Sequence, residues 1–281
     1  GFGTVYLCKE EHRDGFSRVV AVKLLNAQWT DSVEISSRIR DEARLLGMLR
    51  HRNIVDVYDL TSIDGRSAVV MEYLEAVDLR FLMQHCQSRG TRIPVRPGME
   101  IVAAVAHALD AAYNRPPMKG EKPLRVIHRD IKPSNIMLDG NGGPKVLDFG
   151  VAKAETGRQA TVTGVVKGKF SYMSPEQILR KKGVDHRADI FSLGVVLFEM
   201  ITGDSPFKRS GDLDAAPNTD ACADLSPLIR DMLNPHPPDR PQTGYAVLER
   251  LVESPAPGAE STASTGALLF SPGQRLNKAY T

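Results

Sequence analysis

His128-Arg129-Asp130-Ile131-Lys132-Pro133-Ser134-Asn135, followed by Asp148-Phe149-Gly150, is the stretch on which the reading of this chain turns. Two carboxylates, an amide and a lysine are gathered in a short span. Transfer of a phosphoryl group needs a residue to orient the attacking hydroxyl, oxygen ligands for Mg²⁺ and cations on the phosphates. Asp130 suits the first task, Asn135 and Asp148 the second, and Lys132 the third.

On the N-terminal side the chain is strand-rich. Residues 3–8 and 18–25 are apolar and β-branched, and Asp14-Gly15 between them is a hairpin turn signal. Residues 34–50 have helical spacing: Ile35, Ile39, Leu46 and Leu49 share a face, and Glu42 lies on the same stripe. Two further strands are expected near 54–60 and 67–73, joined across Asp64-Gly65. This part ends near Leu74.

Beyond Leu74 the chain reads as mostly helical. Asp78 can cap a helix that stops at Gly90, and Ile101, Val102, Val105, Ala108, Leu109 and Ala112 form a helical stripe. Residues 115–123, rich in Pro, Lys and Gly, read as a surface insertion. Short strands near 136–138 and 145–147 flank Asp139-Gly140. Ser174-Pro175-Glu176-Gln177 has Ser at N-cap, Pro at N1 and Gln at N3 of a helix. Residues 187–202 read as a buried core helix, and 225–251 as helical around Pro235–Pro241. From Glu253 onward Ser, Thr, Ala, Gly and Pro dominate, a composition that implies disorder.

The 281 residues suffice for one large domain or two lobes sharing a cleft, and 42% hydrophobic content supports a sizeable core. With 36 basic and 34 acidic residues, the net charge of +2 gives no reason to invoke nucleic acid or an anionic membrane. Cys8, Cys86 and Cys222 have no metal-ligand spacing, which fits a reducing cytosol. No signal peptide is visible, and the most apolar helix candidate, Ile190–Ile201, is too short to span a bilayer. The chain opens with Gly1 rather than Met, so it reads as a fragment.

The stretch from His128 to Gly150 matches H-R-D-x-x-x-x-N plus D-F-G, and the chain therefore resembles the protein kinase family over residues 1–252. Lys132, two places after Asp130, resembles the serine/threonine branch. Gly1-Phe2-Gly3-Thr4-Val5 resembles the end of the Gly-rich loop, whose glycines let backbone amides approach phosphate. Val20-Ala21-Val22-Lys23 resembles V-A-I-K. An acid on an apolar stripe is not expected to be buried unpaired. Glu42 either faces solvent or pairs with Lys23, and the resemblance implies the pair. Met71-Glu72-Tyr73-Leu74 resembles the hinge between lobes, with backbone near Glu72 and Leu74 on the adenine edge and Met71 as gatekeeper.

The resemblance implies an α+β, bilobal protein-kinase fold: an antiparallel-sheet lobe plus one helix over 1–74, a larger mainly helical lobe over 75–252, and a tail over 253–281. It implies phosphoryl transfer from ATP to protein Ser or Thr, with autophosphorylation. Asp130 and Lys132 are the catalytic pair. Asn135 and Asp148 hold Mg²⁺, with Mn²⁺ as an alternative. Gly3, Val5, Ala21, Lys23, Glu42, Met71, Glu72, Leu74 and Met137 line the ATP site.

His128 and Phe149 read as packing. Ser174-Pro175-Glu176 resembles A-P-E, and Glu176 is expected to pair with Arg240. A capping box alone explains residues 174–177 locally. Asp189 is either a helix N-terminal charge or, as the resemblance implies, a bond to the catalytic-loop backbone. Thr161 and Thr163 are the expected phosphosites, with Arg129, Lys153 and Lys167 as phosphate partners.

The implied partners are protein substrates and ATP, with no nucleic acid and no membrane contact from this segment. The implied location is cytoplasmic, or the cytoplasmic portion of a membrane-anchored protein. Alternatives are a pseudokinase or scaffold that binds partners without turnover, and a small-molecule kinase of related fold. The chain departs from the family in its clipped Gly-rich loop, the 115–123 insertion, Lys169 where Thr is usual, and the short stretch between Phe207 and Leu225.

Overall fold

The computed structural model describes residues 3–11, 14–26, 45–118, 120–149, 171–207, 219, 222 and 225–254. Strands β1 (Gly3–Glu11), β2 (Ser17–Leu25), β3 (Val57–Ile63) and β4 (Arg66–Glu72) form an antiparallel sheet in the order β1-β2-β4-β3. The β3–β4 hairpin closes over Asp64 at φ 51° and Gly65 at φ 76°. Two residues at positive φ make a turn whose twist matches the strands it joins, which is why Asp-Gly stands there. One sheet face buries Val20, Val22, Ala68 and Val70 with Cys8 and Tyr58 packed on them.

The third strand begins at Val57, three residues later than its apolar run suggests. Ile54, 2% exposed, makes a parallel bridge to Val146 instead and belongs to the larger core. Of the helix expected over 34–50, residues 45–48 are helical and Leu46 and Leu49 are buried; the rest, with Glu42, lies outside the described residues.

The second lobe opens with β5 (Ala76–Asp78), which pairs with β6 (Ile136–Asp139), which pairs with β7 (Pro144–Val146). Helix α1 (Leu79–Ser88) is capped by Asp78, whose Oδ1 accepts from Phe81 N–H at 2.8 Å. Helix α2 (Val95–Asn114) buries the stripe from Ile101 to Ala112. The short α3 (Pro175–Ile178) is followed by α4 (Arg187–Thr202), buried along almost its whole length, then α5 (Ser226–Met232) and α6 (Gly244–Glu253).

Packing of α2 against α4 and α6 makes the main core. Residue 253, at the expected start of the tail, is still the last residue of α6. Among the described residues no helix is long and apolar enough to cross a membrane.

Candidate active site

In an antiparallel sheet, residues opposite one another share a face. The register sets Val5 opposite Lys23 and Leu7 opposite Ala21 on one side of β2, and Lys23 opposite Val69 and Ala21 opposite Met71 on the other. Val5, Ala21, Lys23 and Met71 therefore stand on one face, opposite to that of Val20 and Val22. Gly3 has no room for a side chain: a Cβ there would lie 2.2 Å from the Leu24 carbonyl oxygen. Leu74 is half-buried just beyond β4. Met137 on β6 stands between Asp78 and Lys145, opposite both.

The loop from His128 to Asn135 has little regular structure, so its backbone groups need other partners. Asp189, in the first turn of α4 and 2% exposed, supplies two. Its Oδ2 accepts from His128 N–H and its Oδ1 from Arg129 N–H, each at 2.7 Å. Burial pushes the Asp189 carboxyl up to about 7, against the pull of those two donors and of the Arg129 charge. His128 is fully buried; its Nε2 lies 2.7 Å from the Leu147 carbonyl oxygen, and its Nδ1 accepts from Asp130 N–H at 3.1 Å. That pattern fixes the tautomer with the proton on Nε2.

Asp130 Oδ2 is held by Lys132 Nζ at 2.8 Å and Asn135 Nδ2 at 3.1 Å. Asn135 Nδ2 also donates to the Asp130 carbonyl at 2.9 Å. The amide nitrogen makes both contacts, so the amide oxygen is the atom a cation can use. Leu147 N–H donates to the Asn135 carbonyl at 2.9 Å, which sets Asn135 beside the segment carrying Asp148.

Phe149, 2% exposed, packs on His128 with ring centroids 4.7 Å apart. Asp148, at φ 53°, turns the other way and meets Lys23: Nζ to Oδ1 is 2.6 Å. One amide oxygen and one half-exposed carboxylate suit Mg²⁺, which takes few protein ligands and completes its shell with water and phosphate. Among the described residues no group of three or more His, Cys, Asp or Glu could hold a metal by itself.

On the other flank, the capping box at Ser174 is present, and Gln177 Nε2 reaches on to the Arg129 carbonyl at 3.0 Å. Glu176 and Arg240 form a buried bidentate pair, Nη1–Oε1 2.6 Å and Nη2–Oε2 2.8 Å. Arg240 also donates to the Asn234 and Arg187 carbonyls and lies over the Phe191 ring. Tyr172 Oη donates to Glu199 Oε2 at 2.5 Å, and burial followed by that bond raises the phenol's pKa.

Several of these residues carry no sequence signal. Spacing identifies Gln177 only as a cap, yet its second contact reaches a loop 48 positions away. Tyr172, Asn53 and Lys145 belong to no motif. Lys145 pairs with Glu72 at 2.6 Å, and Asn53 Nδ2 donates to the Pro144 carbonyl at 2.8 Å. A lysine inside a short, otherwise apolar strand is the one hint the sequence offers. Glu42, Gly150, Lys153, Thr161, Thr163, Lys167 and Lys169 lie outside the described residues, as do Gly1, Phe2, 208–218 and 255–281.

Residues 1–255 match the family model described as protein kinase domain. The chain is 39% identical over 251 residues to the tyrosine-protein kinase MasK of Myxococcus xanthus, covering 88% of this chain and 37% of that protein. It is 34% identical to the serine/threonine-protein kinase Pkn1 of the same organism, covering 90% of this chain and 32% of Pkn1. It is 34% identical to the serine/threonine-protein kinase PknB of Mycolicibacterium smegmatis, covering 92% of this chain and 42% of PknB. The chain thus spans less than half the length of these relatives. The solved PknI kinase domain of Mycobacterium tuberculosis superposes with a TM-score of 0.68 at 26% identity, over 90% of this chain and 92% of that one.

Proposed function

This chain belongs to the protein kinase family, and on that premise we propose that it transfers the γ-phosphoryl of ATP to Ser or Thr hydroxyls of proteins, itself among them. The observation that carries the reading is the grip on Asp130: one carboxylate oxygen held by both Lys132 and Asn135, on a loop pinned by Asp189. A group so fixed can orient a hydroxyl and take its proton. The family uses ATP with a divalent metal, here assigned as Mg²⁺ with Mn²⁺ as a substitute.

In this reading Asp130 accepts the proton of the incoming hydroxyl. Lys132 neutralises charge that builds on the moving phosphoryl. Asn135 Oδ1 and the Asp148 carboxylate are the cation's protein ligands; the bound cation would offset phosphate charge. Lys23 contacts the α- and β-phosphates, with Glu42 as its brace. Gly3, Val5, Ala21, Met71, Glu72, Leu74 and Met137 line the ATP site, with the backbone near Glu72 and Leu74 on the adenine edge. Glu176, Asp189 and Arg240 hold the frame. One kinase domain accounts for the expected residues 1–252 together with Glu253, which closes α6, and the rest of 253–281 is assigned to a tail. Three free cysteines support a cytoplasmic setting.

Lys132 supports Ser/Thr as the acceptor, whereas MasK, named a tyrosine kinase, supports the other hydroxyl. Incubation with Mg·ATP and a protein substrate, followed by phosphoamino-acid analysis, tests the reading. Phosphoserine and phosphothreonine are expected. Phosphotyrosine alone overturns the acceptor assignment, and nucleotide binding without any transfer favours a pseudokinase.

A further inference from the structure

Glu72 is the last residue of β4, and Lys145 is the central residue of β7 in the other lobe. Their ion pair is 2.6 Å long, and both side chains are only 23% exposed. Glu72 stands opposite Val20, on the sheet face turned away from Ala21, Lys23 and Met71. Its carboxylate is therefore not on the face assigned to the nucleotide.

The carboxylate belongs to a closed ring of bonds. Glu72 N–H donates to the Asp56 carbonyl at 2.9 Å, and Glu72 Oε2 accepts from Asp56 N–H at 3.3 Å. Residues 53–55, just before, are fastened to β7: Val146 N–H to the Asn53 carbonyl at 2.8 Å, Val55 N–H to the Val146 carbonyl at 3.1 Å, and Asn53 Nδ2 to the Pro144 carbonyl at 2.8 Å. By sequence 53–56 precedes β3 of the small sheet; by bonding, 53–55 belongs to the large lobe and Asp56 to the end of β4. Strand β7 leads within two residues to Asp148, and Leu147 is bonded to Asn135. One short strand thus ties the entrance of segment 72–74 to both assigned metal ligands.

We propose that the Glu72–Lys145 pair is an interlobe clamp that positions the backbone of residues 72–74 relative to Asn135 and Asp148, and so sets nucleotide affinity. The proposal rests on the assignment of this region as the ATP site. Both residues act through others and touch no reacting atom; they are positioning residues. A ligand held at one end by segment 72–74 and at the other by Asn135 and Asp148 binds tightly only if the two ends are kept at a fixed separation. A half-buried carboxylate left without its cation would seek solvent and carry the end of β4 with it.

The test is titration of the full-length protein with a fluorescent ATP analogue and Mg²⁺, beside thermal melting. Glu72→Gln and Lys145→Met are each expected to weaken binding by about five- to tenfold, the scale of one half-buried charge-assisted bond. The double variant should be no weaker than the poorer single variant, and Lys145→Arg should bind within about twofold of the parent. Single variants that bind like the parent while melting lower would reduce the pair to a structural role and overturn the clamp. Additive losses in the double variant would overturn it as well. A parent that binds nucleotide yet transfers no phosphate refutes the catalytic reading alone, since the clamp is judged on affinity.

Discussion

Lys23 Nζ lies 2.6 Å from Asp148 Oδ1, joining β2 of the small sheet to the residue two places after β7. The ammonium is mostly buried, the carboxylate 47% exposed, and the bond runs to Oδ1. A cation and the acid proposed above as a metal ligand thus converge from two lobes.

Lys23→Met should lower phosphotransfer by at least about 10²-fold, the usual effect of removing one preorganised charge from a developing anion. The fold should survive, because Lys23 stands at the open face of β2 and not in the Val20–Val22 cluster. Single-turnover phosphorylation with a melting curve on the same sample decides the matter. Activity equal to the parent's would remove Lys23 from the site.

Asp130→Asn should reduce the chemical step by about 10²–10⁴-fold, the range for a general base. Nucleotide affinity should change little, because Lys132 and Asn135 can still hydrogen-bond the amide oxygen. Asp148→Asn should instead raise the Mg²⁺ concentration needed for half-maximal turnover. Rate measured against Mg²⁺ separates the two variants.

The strands around Asp14-Gly15 and Asp64-Gly65, the Asp78 cap and the helix over 187–202 are legible in the sequence because each has a local cause. Turn chemistry, a capping side chain or an unbroken apolar run is written in consecutive residues. The loop 53–56 is not legible: its apolar Ile54 and Val55 look like a strand start, and only the distant Val146 gives them a partner. Strand β5 leaves no trace because three residues are too few for an alternation to register. In the site, residues in a fixed motif can be named from spacing, whereas Lys145, Asn53 and Tyr172 act through contacts that no spacing encodes.

Glu176 and Arg240 should matter to stability as a pair. Burial raises the Glu176 carboxyl, but the Arg240 hydrogen bonds and charge outweigh it and hold the group below its ordinary 4.5. A depressed acid contributes stability above its unfolded pKa and loses it as the pH falls through the lower folded value. Arg240→Met strands a buried carboxylate and should cost about 3–5 kcal/mol at neutral pH. Glu176→Gln should destabilise at neutral pH and flatten the decline of stability below pH 4.5. Urea denaturation from neutral to acid pH measures both, and an acid limb in Glu176→Gln as steep as the parent's would contradict the assignment.

The backbone of Arg129 is fixed from both sides, by Asp189 at the N–H and by Gln177 at the carbonyl. Its φ of 63° is a conformation that costs a side-chain-bearing residue about 1–2 kcal/mol. Yet its Nε is buried and has no hydrogen-bond partner among the described residues. A guanidinium held in a strained, over-determined backbone with a donor unused is suited to an anion that arrives later. The segment between Asp148 and Glu176 contains Thr161, Thr163, Lys153 and Lys167; phosphorylation of one of the threonines is the expected event, with the lysines as further partners of the phosphate. A phosphate carries nearly two charges and can accept both arms of an arginine fork. Incubation with Mg·ATP should place phosphate on Thr161 or Thr163 by mass spectrometry. The phosphorylated protein should turn over roughly tenfold faster or more, the scale of one or two charge-assisted bonds. Thr161→Ala/Thr163→Ala should remove the gain, and Arg129→Ala should remove it while still accepting phosphate from the active parent. An unmodified pair of threonines in a fully active protein would sink the switch, because Arg129 would then be reaching for nothing in that segment.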